Sequence, residues 1–191
     1  MSRQAPSIHS RVSNSQKSSD RRKKLSVREL TLLSFLGVIM FVSKEVMEFL
    51  PNVHLIGVFT VATTAVYRRK ALYAVFVFIM LVGFCNGFNT WWLPYFYLWP
   101  ALWGMTMLLP KNMPRKFAVF AHIGVCGLHG FLYGTLYAPA QAILFGLNFQ
   151  QTIAWIIAGL PWDAVHGVSN LCVGILIEPI ILLLERYSRK L

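Results

Sequence analysis

The stretch "GLPWDAVHGVSN" places an acid, an imidazole and an amide inside a long apolar run, residues 153–184. Asp163, His166 and Asn170 are three and four residues apart, which puts them on one face of a helix with about 3.6 residues per turn. An ionisable group at depth in a membrane costs at least ~2–3 kcal/mol unless it is paired or faces water. The stripe therefore predicts either a polar cavity or internal hydrogen-bonded packing.

The elements that carry this stripe are predicted to be membrane helices. The 191-residue chain is 56% hydrophobic and 13% charged, whereas a soluble domain carries roughly a quarter charged residues. Apolar runs of about 20 residues, enough helix to cross about 30 Å of hydrocarbon, recur along the chain. We predict an all-α integral membrane protein, a six-helix transmembrane bundle with spans at about 30–50, 53–67, 71–90, 91–109, 117–137 and 153–184.

The placement of the basic residues orients these spans. Seventeen of the eighteen Lys and Arg residues lie in four groups on one side of the predicted spans, at 3–28, 68–70, 111–116 and 186–190. By the positive-inside rule this side is cytoplasmic, so both termini are expected in the cytoplasm. We predict that residues 1–28 form a disordered basic tail and residues 29–191 the membrane domain. Although the net charge is +11, nucleic acid is not an expected partner, because no basic groove with interleaved aromatic residues follows the tail.

With this topology, most polar and large aromatic side chains of the spans fall in the outer half of the bundle. Lys44 and Glu48 are four residues apart and can form an ion pair along the first span. A belt of interfacial Trp and Tyr explains part of the aromatic set without a binding site. The candidate substrate-binding residues are Lys44, Glu45, Glu48, Asn52, Asn86, Asn89, Trp92, Tyr95, Trp99, Tyr133, Asp163, His166 and Asn170.

The sequence carries no motif typical of an enzyme. Walker-A, HExxH, GxSxG and paired-cysteine patterns are absent, so this chain is not expected to hydrolyse ATP. His122 and His129 share a face of the fifth span, and His129 is expected at nearly the same depth as His166. Two histidines on neighbouring helices can ligate a haem, although hydrogen-bonded core histidines are the simpler explanation. A haem- or metal-binding redox protein, a lipid-organising protein and a proton-coupled transporter using Glu45, Glu48 or Asp163 remain alternatives. We expect no cofactor.

Three short motifs and the six predicted spans, taken together in their order along the chain, resemble a known family. The motifs are "FVSKEVMEFLPN" leading out of the first span, "YAPAQA" after the fifth and "GLPWDAVHGVSN" in the sixth. Over about residues 27–184 the chain resembles the substrate-binding membrane subunits, or S-components, of the energy-coupling factor (ECF) transporters of prokaryotes. The resemblance implies a receptor in the plasma membrane that captures a vitamin or related micronutrient in the outer half of the bundle.

The same resemblance implies partners and a docking surface. The receptor would dock onto a module of one transmembrane scaffold subunit and two ATPase subunits. Docking in the family often uses an Ala-xxx-Ala pattern on the first span. In this chain the candidate docking residues are Ser34 and Gly37, which do not form that spacing.

Overall fold

The computed structural model describes residues 25–50 and 52–188, and these residues form helices and turns without a strand. The all-α class predicted from the sequence is therefore confirmed. Residues 1–24, most of the predicted tail, lie outside the described residues. The elements are α1 (Val27–Val46), α2 (Ile56–Tyr67), α3 (Ala71–Asn86), α4 (Tyr95–Met107), α5 (Arg115–Phe131), α6 (Tyr133–Phe145), α7 (Phe149–Val173) and α8 (Ile177–Ser188), with 3-10 turns at Arg68–Lys70 and Gly174–Leu176.

Three helical stretches among the described residues are long and apolar enough to cross a membrane. They are Ile56–Asn86, which includes both α2 and α3 with the turn between them, Arg115–Phe145 and Phe149–Ser188, judged by length and composition. Large apolar side chains also face outward, among them Phe120 and Phe149, as expected where lipid rather than water surrounds a helix. These features support a multi-pass helical membrane protein, while the count of six crossings stays a prediction.

Contacts at the helix termini show that the chain runs back and forth between two ends of the bundle. Lys70 Nζ lies 2.6 Å from Glu29 Oε1, so α1 and α3 start at the same end, and the Asn86 amide contacts Glu45 at the other. Between them α2 runs in the opposite direction and the chain reverses at Arg68, whose φ is 51°. We call the two ends the basic end, which carries Arg68, Arg69, Lys70, Lys111 and Arg115, and the aromatic end, which carries Trp91, Tyr95, Tyr133 and Tyr137.

Glycines allow two pairs of helices to approach closely. A Cβ added to Gly37 would lie 2.7 Å from the carbonyl oxygen of Ala74, so α1 packs directly on α3. A Cβ added to Gly130 would lie 2.9 Å from the backbone of Gly167, where α5 crosses α7. Small residues commonly permit such close packing of membrane helices. Gly37 was predicted to take part in docking, but it is buried against α3 of the same chain, whereas Ser34 is half-buried.

The segment between α3 and α4 contains fewer helical residues than the sequence predicts. Residues 87–94 form bends and turns, although the predicted third and fourth spans meet there. Gly87 ends α3 with φ 97°, a conformation that glycine adopts without steric cost. At the other terminus of the bundle, α8 packs against α2 and buries Ile177, Ile181 and Leu184. Residues at the helix ends and in the connecting segments line the cavities at both ends of the bundle.

Candidate functional site

A cavity of about 340 Å³ opens at the aromatic end of the bundle. Pockets that hold small organic molecules span roughly 300–1,000 Å³, so its size suits a small ligand. Its wall comes from the end of α1, the loop before α2, and from α2, α4, α6 and α7. Six of the predicted binding residues line it: Lys44, Asn52, Tyr95, Trp99, Tyr133 and His166.

Trp99 forms the centre of the aromatic wall. It is 1% exposed, and its ring centroid lies 5.6 Å from that of His54, 5.8 Å from Tyr95 and 5.9 Å from Tyr133. The contacts to His54 and Tyr95 are edge to face, an arrangement that aromatic rings prefer over a face-to-face sandwich. The cavity thus offers a rigid aromatic surface on which a flat ring can pack.

Two imidazoles supply polar groups beside this surface. The rings of His54 and His166 meet edge to face with centroids 4.8 Å apart, and His166 is equally close to Tyr133. The atoms His54 Nδ1, His166 Nε2 and Trp99 Nε1 are buried and have no hydrogen-bond partner among the described residues. Buried polar atoms normally have a partner, so a ligand can supply one: Trp99 Nε1 donates, and each imidazole nitrogen donates or accepts according to its tautomer.

The one cation on the described wall of this cavity is already paired. Lys44 Nζ lies 2.8 Å from Glu45 Oε1 and 3.9 Å from Glu48 Oε1. The predicted pair with Glu48 is thus present, but Glu45 is the closer partner. Glu45 also contacts the amide of Asn86 on α3, and none of these three partners lines the cavity. The described wall therefore presents no unpaired charge.

The three residues of the α7 stripe lie on one buried face, as their spacing predicts, but they have different partners. Asp163 Oδ1 accepts a 2.8 Å hydrogen bond from the backbone N–H of Gly134, in the first turn of α6, whose N-cap has no side-chain bond. Asn170 Nδ2 donates to the carbonyl oxygen of Cys126 on α5 at 3.1 Å. His166 lines the cavity and the other two do not. Asp163 and Asn170 therefore fasten α7 to its neighbours.

The remaining predicted residues lie near the cavity without lining it. Trp92 Nε1 donates to the carbonyl oxygen of Ile79 at 2.8 Å and holds the α3–α4 turn against α3, while Asn89 is exposed in that turn. The wall also contains four residues that the sequence did not single out: His54, Ile56, Trp91 and Tyr137. The sequence signal that could have indicated His54 is its position two residues after Asn52, a predicted binding residue. In the structure Asn52 has a φ of 60°, and the chain turns there toward α2.

The histidines considered as haem ligands have different surroundings, since His166 lines the aromatic-end cavity and His129 does not. His129 Nε2 lies 3.0 Å from the carbonyl oxygen of Leu98, and His122 lines a different cavity at the basic end. Within residues 25–50 and 52–188, no group of three or more His, Cys, Asp or Glu side chains could hold a metal ion.

No protein-family model, curated protein or solved structure matches this chain. The candidate function therefore rests on the cavity itself and on the residues that carry the resemblance to S-components.

Proposed function

We propose that this protein is a membrane receptor that captures a small, flat heteroaromatic nutrient such as a vitamin, as the substrate-capture subunit of an ECF-type importer. The observation that supports it best is the cavity of about 340 Å³ at the aromatic end. Three residues of its wall, His54, His166 and Trp99, each carry a buried polar atom without a hydrogen-bond partner among the described residues. A mostly apolar lining with few placed polar groups is typical of small-molecule sites.

The absence of an unpaired charge on the described wall favours an uncharged ring system. Lys44 is neutralised by Glu45, so a ligand carboxylate would gain little there. The edge of a heterocycle, by contrast, can both donate to and accept from the imidazoles of His54 and His166. This combination suits a neutral heteroaromatic ring stacked near Trp99.

In the proposed topology all six passes cross the plasma membrane of a prokaryote, with both termini in the cytoplasm. The clustering of Arg68, Lys70, Lys111 and Arg115 at one end supports this orientation, because basic residues concentrate on the cytoplasmic side. The aromatic end then faces outward, where a nutrient arrives. Cysteine-accessibility labelling of residues 146–148 from outside, and of Lys111 only after permeabilisation, is the expected result.

Capture by this chain does not by itself concentrate a nutrient. The sequence contains no nucleotide-binding motif, so we propose that uptake requires docking to a scaffold subunit and two ATPase subunits. Because Gly37 is buried, the docking surface proposed here is the outward face of α1, where Phe35, Val38 and Val42 are exposed beside Ser34. Expressed without such a module, the protein should bind its nutrient and fail to accumulate it.

The test is to identify the co-purified molecule by native mass spectrometry and to measure its affinity by isothermal titration. His166→Phe keeps a ring but removes Nε2, so affinity should fall roughly 5- to 150-fold. His122→Phe, a buried histidine at the basic end, is the matched control and should leave affinity unchanged. Equal affinity in wild type and His166→Phe would contradict the assignment of the cavity. A haem spectrum from the purified protein would favour the redox alternative.

A further inference from the structure

A second cavity, of about 230 Å³, lies at the basic end of the bundle and shares no lining residue with the first. Five parts of the chain meet there: the end of α2, the α2–α3 turn, the loop before α5, the first half of α5, and α8. The polar side chains on its wall are Arg68, Lys111, Arg115, His122, Glu178 and Glu185. The proposed nutrient site makes no use of any of them.

The cations of this cavity are only partly neutralised. Arg115 Nε lies 2.9 Å from Glu178 Oε1, so these two charges offset each other. Arg68 Nη2 donates to the carbonyl oxygen of Met107 at 2.7 Å, a neutral acceptor, and its buried Nε has no partner among the described residues. Lys111 forms no ion pair or hydrogen bond within the part of the chain that the structure describes. Two cationic side chains therefore remain available to an anion.

The start of α5 adds to the attraction for an anion. The helix has 17 residues, and its N-cap, Pro114, forms no side-chain hydrogen bond. Its first backbone N–H groups and the positive end of its dipole therefore favour a negative group at Arg115. His122 lines the same cavity, is 8% exposed and has an Nδ1 without a partner among the described residues. A neutral hydrogen-bonding group thus accompanies the cations.

We propose that this basic-end cavity binds a phosphate group, held by Arg68, Lys111 and the first turn of α5. A guanidinium offers several donors that match phosphate oxygens, and an ammonium and a helix N-terminus complete a common phosphate-binding set. Glu178 and Glu185 on the same cavity wall limit the net positive charge, so a single phosphate fits better than a polyphosphate. The same group is present in an anionic phospholipid headgroup and in free phosphate.

Two probes distinguish these sources. Purified protein in neutral detergent is titrated with inorganic phosphate by calorimetry. In parallel, the protein is placed in nanodiscs of phosphatidylcholine with increasing phosphatidylglycerol, and the lipids that it retains are counted by native mass spectrometry. Lys111→Gln should weaken binding of the effective probe roughly fivefold, since the lysine is exposed. Lys116→Gln removes the same charge five residues away without altering the cavity wall, and should leave binding unchanged.

The outcomes separate clearly. Saturable binding of inorganic phosphate that weakens in Lys111→Gln supports the site and assigns a soluble ligand. Retention of phosphatidylglycerol alone, reduced in the same variant, supports the site and assigns a lipid. Equal effects of Lys111→Gln and Lys116→Gln would mean nonspecific charge attraction and would overturn the proposal. Absence of saturable binding to either probe would overturn it as well.

Discussion

The two ends of this bundle carry cavities of comparable size but opposite chemistry. At the aromatic end the wall consists of indole, phenol and imidazole rings, and its one cation, Lys44, is paired with Glu45. At the basic end the wall carries guanidinium, ammonium and carboxylate groups. Helix α2 contributes to both, through Ile56 at the aromatic end and Ala65 at the basic end. The difference shows that one helical frame can bind unlike ligands when the residues change along its length.

The ends also differ in how they should respond to substitution. Rings at the aromatic end are buried in one another, so their loss leaves a cavity that is costly. The ion pairs at the basic end, Lys70–Glu29 and Arg115–Glu178, are partly exposed, and such pairs contribute only about 0–1 kcal/mol. Changes at the aromatic end should therefore lower stability, whereas changes at the basic end should mainly alter binding.

The largest expected effect is that of Trp99→Ala. The side chain packs against five other rings, including Phe78 and His129, so its removal should lower the free energy of unfolding by about 3–5 kcal/mol. Nutrient binding should be lost with it. Thermal unfolding in detergent measures the change, and Trp162→Ala is the control because Trp162 is 58% exposed. Similar losses for both tryptophans would show that the aromatic end is not specially packed.

The next effect tests whether the two ends depend on one helix crossing. Gly130→Ala places a Cβ 2.9 Å from the backbone of Gly167 and should cost about 1–3 kcal/mol, since α5 must move away from α7. Because α5 lines the basic-end cavity and α7 the aromatic one, both binding activities should weaken together. Gly124→Ala, in the same helix with nothing within 4 Å of the added Cβ, should be neutral. If Gly130→Ala weakened binding at one end alone, the two cavities would not depend on the same helix crossing.

A smaller effect divides the α7 stripe. Asp163→Ala removes the acceptor for the Gly134 N–H and should cost about 0.5–2 kcal/mol, as loss of a helix cap does. Affinity for the nutrient should persist in the folded protein, the reverse of the result expected for His166→Phe. Melting curves and calorimetry on the same samples compare the two, with the exposed Glu48→Ala as control. If Asp163→Ala reduced affinity without changing stability, Asp163 would have to be assigned to ligand binding.

The smallest effect is a pH dependence at the basic end. The hydrogen bond from Lys70, then that from Ser26, lowers the pKa of Glu29. A carboxyl with a lowered pKa adds stability above its ordinary titration, roughly pH 4, and this is lost as the pH falls through the folded-state value. Glu29→Gln should therefore reduce the fall in melting temperature between pH 5 and pH 3. Lys70→Met should reduce it by less, because the Ser26 hydrogen bond still lowers the pKa of Glu29. An unchanged fall in both variants would contradict the role of this ion pair.

Periodicity and charge were sufficient to predict part of this arrangement. The helical class follows from the apolar runs, and the shared face of Asp163, His166 and Asn170 follows from their spacing. Their separate partners do not follow from it. The bond from Gly134 to Asp163 depends on the interruption of helix at Leu132, between α5 and α6, which no glycine or proline at that position announces.

The missed residues are those whose role depends on contacts distant in sequence. His54 reaches the cavity because the loop before α2 packs beside Trp99 and His166, residues 45 and 112 positions later. Trp91 was not singled out as a binding residue, but its carbonyl oxygen accepts a hydrogen bond from the Tyr137 hydroxyl at 3.2 Å. Local pattern cannot supply such pairings, because each depends on how two separate helices meet.

The Arg68 turn gives α2 a mechanical property. The carbonyl oxygen of Arg68 accepts from Trp103 Nε1 at 3.0 Å while its guanidinium bonds to Met107, so α4 clamps this turn from both sides. From there α2 extends 12 residues, about 18 Å, to Ile56 on the wall of the aromatic cavity. Because α2 is held by α4 at the Arg68 turn, we expect it to move as a rigid unit. If a phosphate group shifts it, thermodynamic reciprocity requires that phosphate and nutrient change each other's binding constants by the same factor.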